Sequence, residues 1–365
     1  MKILQVANFV SPKSGGLRTA IDALRSGYEE LGWSVYRITP FPNPAHSLDV
    51  AGIKSIRVPT MHSYKVILER RRIQETILEI DPDVIELSDK STFAWLPQWA
   101  KEHGIPCCVI SHERMDLTLR HAGLATIPLR RLSQRWTREI ADSATRVICA
   151  SQFAAVEFEE FGIPINLIPL GVNLDSIKPM PSRVISDSKV EIVMCTRLSE
   201  EKKPHVGIEA VRLLSQRRPV HLTIMGDGPS RSRLEELAEG LDVDFLGHIS
   251  DRQKVLHILG SADVVLNLGP VETFGLVTLE ALAAGTPVVV ANTGASPELI
   301  TSECGRAVKT DAVSVAQGIE EVIEFSDTRT SENCRMRAGQ FRWTSTVAQF
   351  ARLYMEVAQV LAYAS

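Results

Sequence analysis

No stretch of this chain approaches the ~18 consecutive apolar residues of a membrane-crossing helix, so nothing in it is expected to span a bilayer. The opening Met1-Lys2-Ile3-Leu4-Gln5-Val6 runs directly into strand-like sequence and has no signal-peptide core. A cytoplasmic location is the expectation. Cysteine is sparse, and Cys107, Cys108, Cys149, Cys195, Cys304 and Cys334 show no metal-type spacing; most sit in apolar runs. They read as buried thiols in a reducing compartment. Internal repeats and low-complexity tracts are missing, and the net charge of −4 gives no general reason to expect nucleic acid. What remains is ordinary: 44% hydrophobic and 23% charged residues over 365 positions, enough for two globular domains.

Short apolar runs alternate with helical patterns along the whole length, which argues for α/β architecture with parallel sheets. In the first half, strands are expected at Ile3–Asn8, Val35–Thr39, Ile56–Val58, Val84–Leu87, Cys107–Ser111, Arg146–Cys149 and Asn166–Pro169. Helices follow Gly15-Gly16, then at Val66–Ile80, Ala94–Glu102, Leu129–Ala141 and Phe153–Phe161. The pattern lapses between Gly171 and Ser188, where Pro179, Pro181 and scattered Ser and Asp read as a linker. A second alternation starts at Glu191–Cys195 and ends in two closing helices. The expected domains are 1–170 and 189–342, with a final helix at 343–365 returning to the first. Ligands of such sheets sit beyond the carboxyl ends of strands. Gly15-Gly16, His112, Arg197, Gly226–Pro229 and Glu272 all fall there, which is simplest if two sheets face each other across a cleft.

The densest segment runs from Asn267 to Asn292. An apolar strand leads to a loop with Glu272, then to a helix at Leu276–Ala284 that Gly285 and Pro287 end. A glycine turn at Gly275 before a helix start leaves backbone N–H groups for an anion. Glu272 precedes that start, and Glu280 lies roughly 7.5 Å further along the axis at about 1.5 Å per residue. Carboxylates repel phosphate but accept hydrogen bonds from hydroxyls. The arrangement suits a diphosphate with a sugar at each end, although either glutamate alone reads more readily as a solvated helix-start residue. Arg197 and Lys202 follow another buried strand and could stabilise a departing diphosphate, or form a solvated charge run. His112 in Ser111-His112-Glu113-Arg114 could meet a sugar hydroxyl or be structural. Asp242-Val243-Asp244 spells a metal-binding string but leads into a strand, and no metal is expected. On the helix near Pro128, Arg130, Arg131, Arg135 and Arg138 oppose Leu129, Leu132, Trp136 and Ile140. That face is either a basic solvent surface or a contact for anionic lipid at about 1 kcal/mol per arginine. A second arginine cluster stands at Arg70, Arg71 and Arg72.

Glu272 and Glu280 with Phe274-Gly275-Leu276 between them, and Glu-Ala-Leu-Ala-Ala-Gly-Thr-Pro-Val-Val after them, resemble the glutamate–seven–glutamate motif of family 4 retaining glycosyltransferases. Arg-Leu-Ser-Glu-Glu-Lys at 197–202 resembles the donor-phosphate loop of the same family. The resemblance implies a GT-B fold, two facing Rossmann-like domains, and a nucleotide-sugar donor with no cofactor. It places Gly15, Gly16, Gly226, Gly247 and His248 around the donor. Thr273, Phe274, Gly275 and Leu276 join them there. It also gives His112, Arg197, Lys202 and Glu272 the catalytic roles and Glu280 the ribose. Gln5–Phe9, Ser14–Ala20, Ser88-Asp89 and Ile110–Arg114 look like the actinobacterial branch that uses GDP-mannose to elongate mannosylated inositol phospholipids. By that likeness Asp89 lies on the acceptor side, the acceptor is lipid-linked, and the enzyme works peripherally at the inner face of the plasma membrane. Cys195 departs from the glycine that many relatives carry there. A nucleotide-sugar epimerase of the same architecture and a non-catalytic lipid-surface binder are the other classes considered. Donor turnover without acceptor would separate the first, and joint presence of Arg197, Lys202 and Glu272 argues against the second.

Overall fold

The computed structural model describes residues 1–10, 15–58, 61–114, 117, 127–159, 161–178 and 189–362. Pro179 and Pro181 of the expected linker, and Ser14 of the first glycine turn, lie outside them. The chain divides into unit 1, Met1–Leu170 with Trp343–Ser365, and unit 2, Gly171–Arg342.

Unit 1 holds a six-stranded sheet of β1 (Lys2–Val6), β2 (Ser34–Ile38), β5 (Val84–Leu87), β6 (Cys107–Ser111), β7 (Arg146–Cys149) and β8 (Ile165–Leu167) in the order β2-β1-β5-β6-β7-β8. All pairings are parallel. A parallel sheet is covered on both faces, which is why Cys107–Ser111 is buried throughout and reads as an uninterrupted apolar run. Period-2 alternation sends Leu4, Val6, Ile85 and Val109 into one core with Ile140 and Phe158. Ile3, Val84, Cys108 and Ile110 enter the other core, with Leu24 and Tyr28 from α1 (Gly16–Glu30) and Phe350 and Tyr354 from the last helix, Trp343–Ala362. On the first face lie α2 (Arg70–Ile80), α3 (Leu96–Glu102), α4 (Ile127–Ser143) and α5 (Gln152–Glu159).

One correction concerns the helix expected from Val66. Residues 61–67 form β4 (Met61–Ile67), which pairs antiparallel with β3 (Ser55–Val58), and the helix starts only at Arg70. The antiparallel hairpin pairing with β3 makes this segment a strand and outweighs the helical spacing of Val66.

Unit 2 repeats the architecture with β9 (Val190–Cys195), β10 (Val220–Met225), β11 (Val243–Gly247), β12 (Val264–Asn267), β13 (Val288–Ala291) and β14 (Gly305–Val308), ordered β11-β10-β9-β12-β13-β14 and all parallel. Helices α6 (Pro204–Ser215), α7 (Arg231–Leu237), α8 (Arg252–Ser261), α9 (Leu276–Ala284), α10 (Ala312–Phe325) and α11 (Thr330–Ala338) complete it. The closing segment of unit 2 has the two helices α10 and α11, with the unexpected strand β14 before them, and the last helix, α12 (Trp343–Ala362), belongs to unit 1. Gly305-Arg306-Ala307-Val308 is too short and too polar to announce a strand; its pairing with β13 makes it one. Chain order reverses between β9 and β12 in unit 2 and between β1 and β5 in unit 1, so each sheet has a switch point where loops diverge and a crevice opens.

The second core of unit 1 contains a buried acid. Glu86 accepts hydrogen bonds from Tyr28 Oη (2.9 Å), Tyr354 Oη (2.8 Å) and Gln5 Nε2 (2.8 Å). Burial pushes its carboxyl above the usual range, and those bonds partly offset the push. Phe350, packed edge-on against Tyr354, is fully buried. Phe350→Ala should lower stability by about 3–5 kcal/mol through lost burial and the cavity left behind. All five tryptophans (Trp33, Trp95, Trp99, Trp136 and Trp343) lie in unit 1. Urea unfolding followed by tryptophan fluorescence should therefore show an early transition, while part of the far-ultraviolet circular dichroism persists; an unchanged fluorescence midpoint would show that α12 is dispensable to unit 1.

Candidate active site

The switch point of unit 2 collects most of the residues that the sequence singled out. After β9 the chain turns through exposed Arg197 and a 3-10 turn at Glu200–Lys202. After β12 it passes Glu272 and enters α9 behind Gly275. Because β9 and β12 are sheet neighbours, these loops are side by side, and Lys202 Nζ lies 2.7 Å from Glu272 Oε2. Both side chains are 24% exposed, so the pair is held by the protein yet open to a ligand.

The start of α9 is fixed from beneath. Asn267 Nδ2, at the end of β12, donates to Thr278 Oγ1 (2.9 Å) and Ser296 Oγ (3.3 Å). Gly275 has φ +95°, and a Cβ there would stand 2.7 Å from Ser296 Oγ, so only glycine makes this entry. The first amides of α9 have no intrahelical acceptor, and no acidic residue occupies the first turn. The helix start is thus free for an anion, with the Lys202 cation on the neighbouring loop. The loops after β10 and β11 brace that loop. Leu198 N donates to Asp227 O (3.1 Å), Ser230 N to Leu198 O (2.9 Å), and Gly226 N to Gly247 O (2.8 Å). At Gly226, φ is +132° and a Cβ would meet Thr196 O at 1.9 Å, so the backbones touch because no side chain intervenes. His248 is exposed just past β11. Thr273 is half-buried, while Phe274 is buried and packs edge-on against Phe341, anchoring the loop.

Glu280 sits inside α9, 4% exposed, and is bonded to the guanidinium of Arg252 at the start of α8. Burial raises its carboxyl above the ordinary range, and Arg252 counters this. Arg252 had no motif to mark it; the pair spans 28 positions and depends on α8 and α9 packing together. Cys195 ends β9 nearby, its thiol pushed up to about 12 by burial and by the Glu280 charge, which makes it an inert small filler. Asp242 accepts from Lys189 Nζ (2.9 Å) and pairs with His221 Nδ1 (2.9 Å), and Asp244 lies 3.6 Å from His221 Nε2. Both aspartates are thus engaged at the sheet margin. Among the described residues no cluster of three His, Cys, Asp or Glu side chains suits a metal ion.

In unit 1 the corresponding loops follow β1, β5 and β6. Gly15 caps α1 and Gly16 is its first residue. His112 is half-buried, with Nε2 3.1 Å from Ser88 Oγ. Burial, with the Lys90 charge adding, lowers its pKa to about 4, so the ring is neutral near pH 7. Lys90 itself went unnoticed in the sequence. It is buried, donates to Ser111 Oγ (2.8 Å) and Glu113 O (2.6 Å) on either side of His112, and pairs with Glu157 of α5. Removing one partner of such a buried pair costs about 3–5 kcal/mol. Asp89 is also buried; it accepts from Ser91 N (2.7 Å), Ser91 Oγ (2.7 Å) and the Thr92 hydroxyl, and so shapes the loop that carries Ser88 and Lys90. On α4, Arg131, Arg135 and Arg138 are exposed; Arg135 pairs with Glu139 (2.7 Å) and Arg138 covers the Phe161 ring. Trp136 and Ile140 face the core, and the side chains of Leu129, Arg130 and Leu132 lie outside the described residues.

Comparison with known proteins agrees with this geometry. Residues 14–176 match Glycosyltransferase Family 4, and residues 177–339 match Glycosyl transferases group 1. The chain is 37% identical to the GDP-mannose-dependent alpha-(1-6)-phosphatidylinositol dimannoside mannosyltransferase of Mycobacterium tuberculosis, covering 95% of this chain and 94% of the relative. It is 24% identical to the alpha-monoglucosyldiacylglycerol synthase of Streptococcus pneumoniae, over 76% of this chain and 68% of that one. Among solved structures, Anabaena HepE in complex with UDP-glucose superposes with a TM-score of 0.77 at 20% identity, covering 98% of this chain and all 100% of that one. Sucrose-phosphate synthase of Thermosynechococcus elongatus gives 0.76 at 18%, covering 98% and 99%. Two parallel-sheet units with a cation–carboxylate pair at a switch point, both halves matched to glycosyltransferase domains, and a relative similar along nearly its whole length lead to one conclusion. The chain belongs to the family 4 glycosyltransferases and has their GT-B fold.

Proposed function

We propose that this enzyme transfers mannose from GDP-mannose to a mannosylated phosphatidylinositol, with retention at the anomeric carbon. The observation that carries the chemistry is the Lys202–Glu272 pair beside the open start of α9. The donor and acceptor identities rest on likeness to the mycobacterial mannosyltransferase. The diphosphate sits on the α9 amides, with Lys202 and Arg197 as cations. As the sugar–phosphate bond breaks, its electron pair goes to the β-phosphate oxygen, where charge grows and the cations act most strongly. The acceptor hydroxyl oxygen bonds the anomeric carbon from the same face and passes its proton to that phosphate oxygen. Glu272 holds mannose hydroxyls, and Glu280 accepts from the ribose.

Turnover of GDP-mannose, UDP-glucose and UDP-N-acetylglucosamine on a mannosylated inositol phospholipid should favour GDP-mannose in kcat/KM. Preference for another donor would reassign the substrate. Arg197→Ala and Lys202→Ala should each lower kcat by roughly 10²–10³-fold, as loss of a transition-state charge partner does, with circular dichroism unchanged. Near-normal turnover in either variant would remove that residue from leaving-group stabilisation.

The acceptor reading calls for peripheral contact with anionic lipid, and the arginines of α4 supply a basic surface for it. Replacing Arg130, Arg131, Arg135 and Arg138 by glutamine should weaken binding to vesicles containing phosphatidylinositol and slow transfer to lipid. Thermal stability should change little, because Arg131, Arg135 and Arg138 are exposed and exposed substitutions stay within about ±0.5 kcal/mol each. In the parent, binding should decline as salt rises, since screening acts within about 8 Å at physiological ionic strength. A quadruple variant that binds such vesicles as well as the parent would make this face an ordinary solvated surface.

A further inference from the structure

Arg252 stands outside the glutamate–seven–glutamate motif yet contacts its second glutamate, Glu280, and the proposed transfer does not need the arginine. Glu280 belongs to the interior of α9, with its side chain 6% exposed, whereas the Arg252 side chain is 50% exposed. One carboxylate oxygen, Oε1, receives the guanidinium, and among the described residues Oε2 has no hydrogen-bond donor. The acid is thus half-engaged: one oxygen is tied to a cation from α8 and the other is left open beside the end of β9.

From this geometry we infer that Arg252 is a positioning residue that holds Glu280 ionised and aimed, and thereby makes the enzyme select ribonucleotide over 2′-deoxyribonucleotide donors. The inference rests on the reading of Glu280 as the ribose acceptor. A ribose presents two neighbouring O–H donors, and a carboxylate is acceptor-only with sites on both oxygens. A protonated carboxyl would instead offer an O–H of its own and lose acceptor capacity. Isolated at this depth, Glu280 would tend to become neutral, since removal from water disfavours the charged form. Arg252 prevents this without filling the site, because it approaches Oε1 alone and from its exposed side.

The groups around Glu280 are few. Arg252 comes from α8, and the Cys195 thiol from the end of β9 stays neutral at physiological pH because its pKa is about 12. From α11, Arg335 reaches the far end of α9, bonding the Ala283 carbonyl rather than the acid. Asp251, next to Arg252, is occupied by the Gln253 and Lys254 amides as the cap of α8. Arg252 is therefore the cation available to Glu280 among the described residues. Its loss should raise the Glu280 pKa further above the ordinary carboxylate range. Ionisation, and with it ribose binding, would then require higher pH.

The test is calorimetric titration of the full chain with GDP, 2′-deoxy-GDP, UDP and 2′-deoxy-UDP between pH 5.5 and 9, for the parent, Arg252→Met and Arg252→Lys. In the parent, each ribonucleotide should bind at least tenfold more tightly than its deoxy counterpart across the range. In Arg252→Met that ratio should collapse towards one at pH 6–7 and recover towards pH 9, with Arg252→Lys close to the parent. The preference between guanine and uracil tests the donor assignment, while the ratio within each pair tests the role of Arg252, so the two can fail separately. The inference is overturned if Arg252→Met keeps the parental ratio and pH profile. It is equally overturned if the variant loses affinity for ribo and deoxy forms alike at every pH, which would place the guanidinium on the base or phosphates instead. Absence of nucleotide binding by the parent would overturn both the inference and the donor assignment.

Discussion

A carboxylate beside a diphosphate is repulsive unless a cation stands with it. Lys202 and Glu272 form such a matched pair in this protein, and the fold of unit 2 brings the two side chains together. They are 70 residues apart in sequence. They meet because β9 and β12 are neighbours at the point where strand order reverses, so the loops leaving them flank one crevice. Ile192 and Met194 of β9 and Val264 and Leu266 of β12 are buried in one apolar core, which fixes the strand ends and hence the loops. The same solution recurs deeper in the site, where Arg252 accompanies Glu280. Each carboxylate of the motif is thus matched with one lysine or arginine from a different element.

Unit 1 uses buried charge for a different purpose. Lys90 and Glu157 are both enclosed, and the ammonium spends its remaining donors on the two residues flanking His112. Apolar replacements could be as stable, since buried ion pairs seldom add net stability. What the pair contributes is geometry: the turn after β6 has one arrangement, and a neutral imidazole stands at its tip. Glu86 acts similarly on the opposite face, where the hydroxyls of Tyr28 and Tyr354 tie α1 and α12 to the central strand β5.

Much of this was legible in the sequence, for identifiable reasons. Parallel strands buried on both faces produce uninterrupted apolar runs, so Val84–Leu87, Cys107–Ser111, Arg146–Cys149 and Val288–Ala291 could be read to the residue. Gly275 and Gly285, both with positive φ, bracket α9 and mark its ends. Two strands escaped notice because pairing rather than composition makes them: β4 is half polar, and β14 is four residues with an arginine. Glu272, Glu280, Arg197 and Lys202 stand in local motifs that resemble those of the family. Arg252 and Lys90 do not. A lone arginine at a helix start and a lysine in a Ser-Asp-Lys-Ser loop carry no local signal, and their partners lie 28 and 67 positions away.

The central claim is that the reversal point of unit 2 holds a nucleoside diphosphate between two carboxylates that are each matched with a cation. The most direct measurement is a crystal structure of the protein with GDP bound. The expected result has the diphosphate on the amides of α9, Lys202 within hydrogen-bond distance of a phosphate oxygen, and a ribose hydroxyl donating to Glu280 Oε2 while Arg252 remains on Oε1. A nucleotide bound away from the ends of β9 and β12, or a ribose that leaves Glu280 untouched, would contradict it.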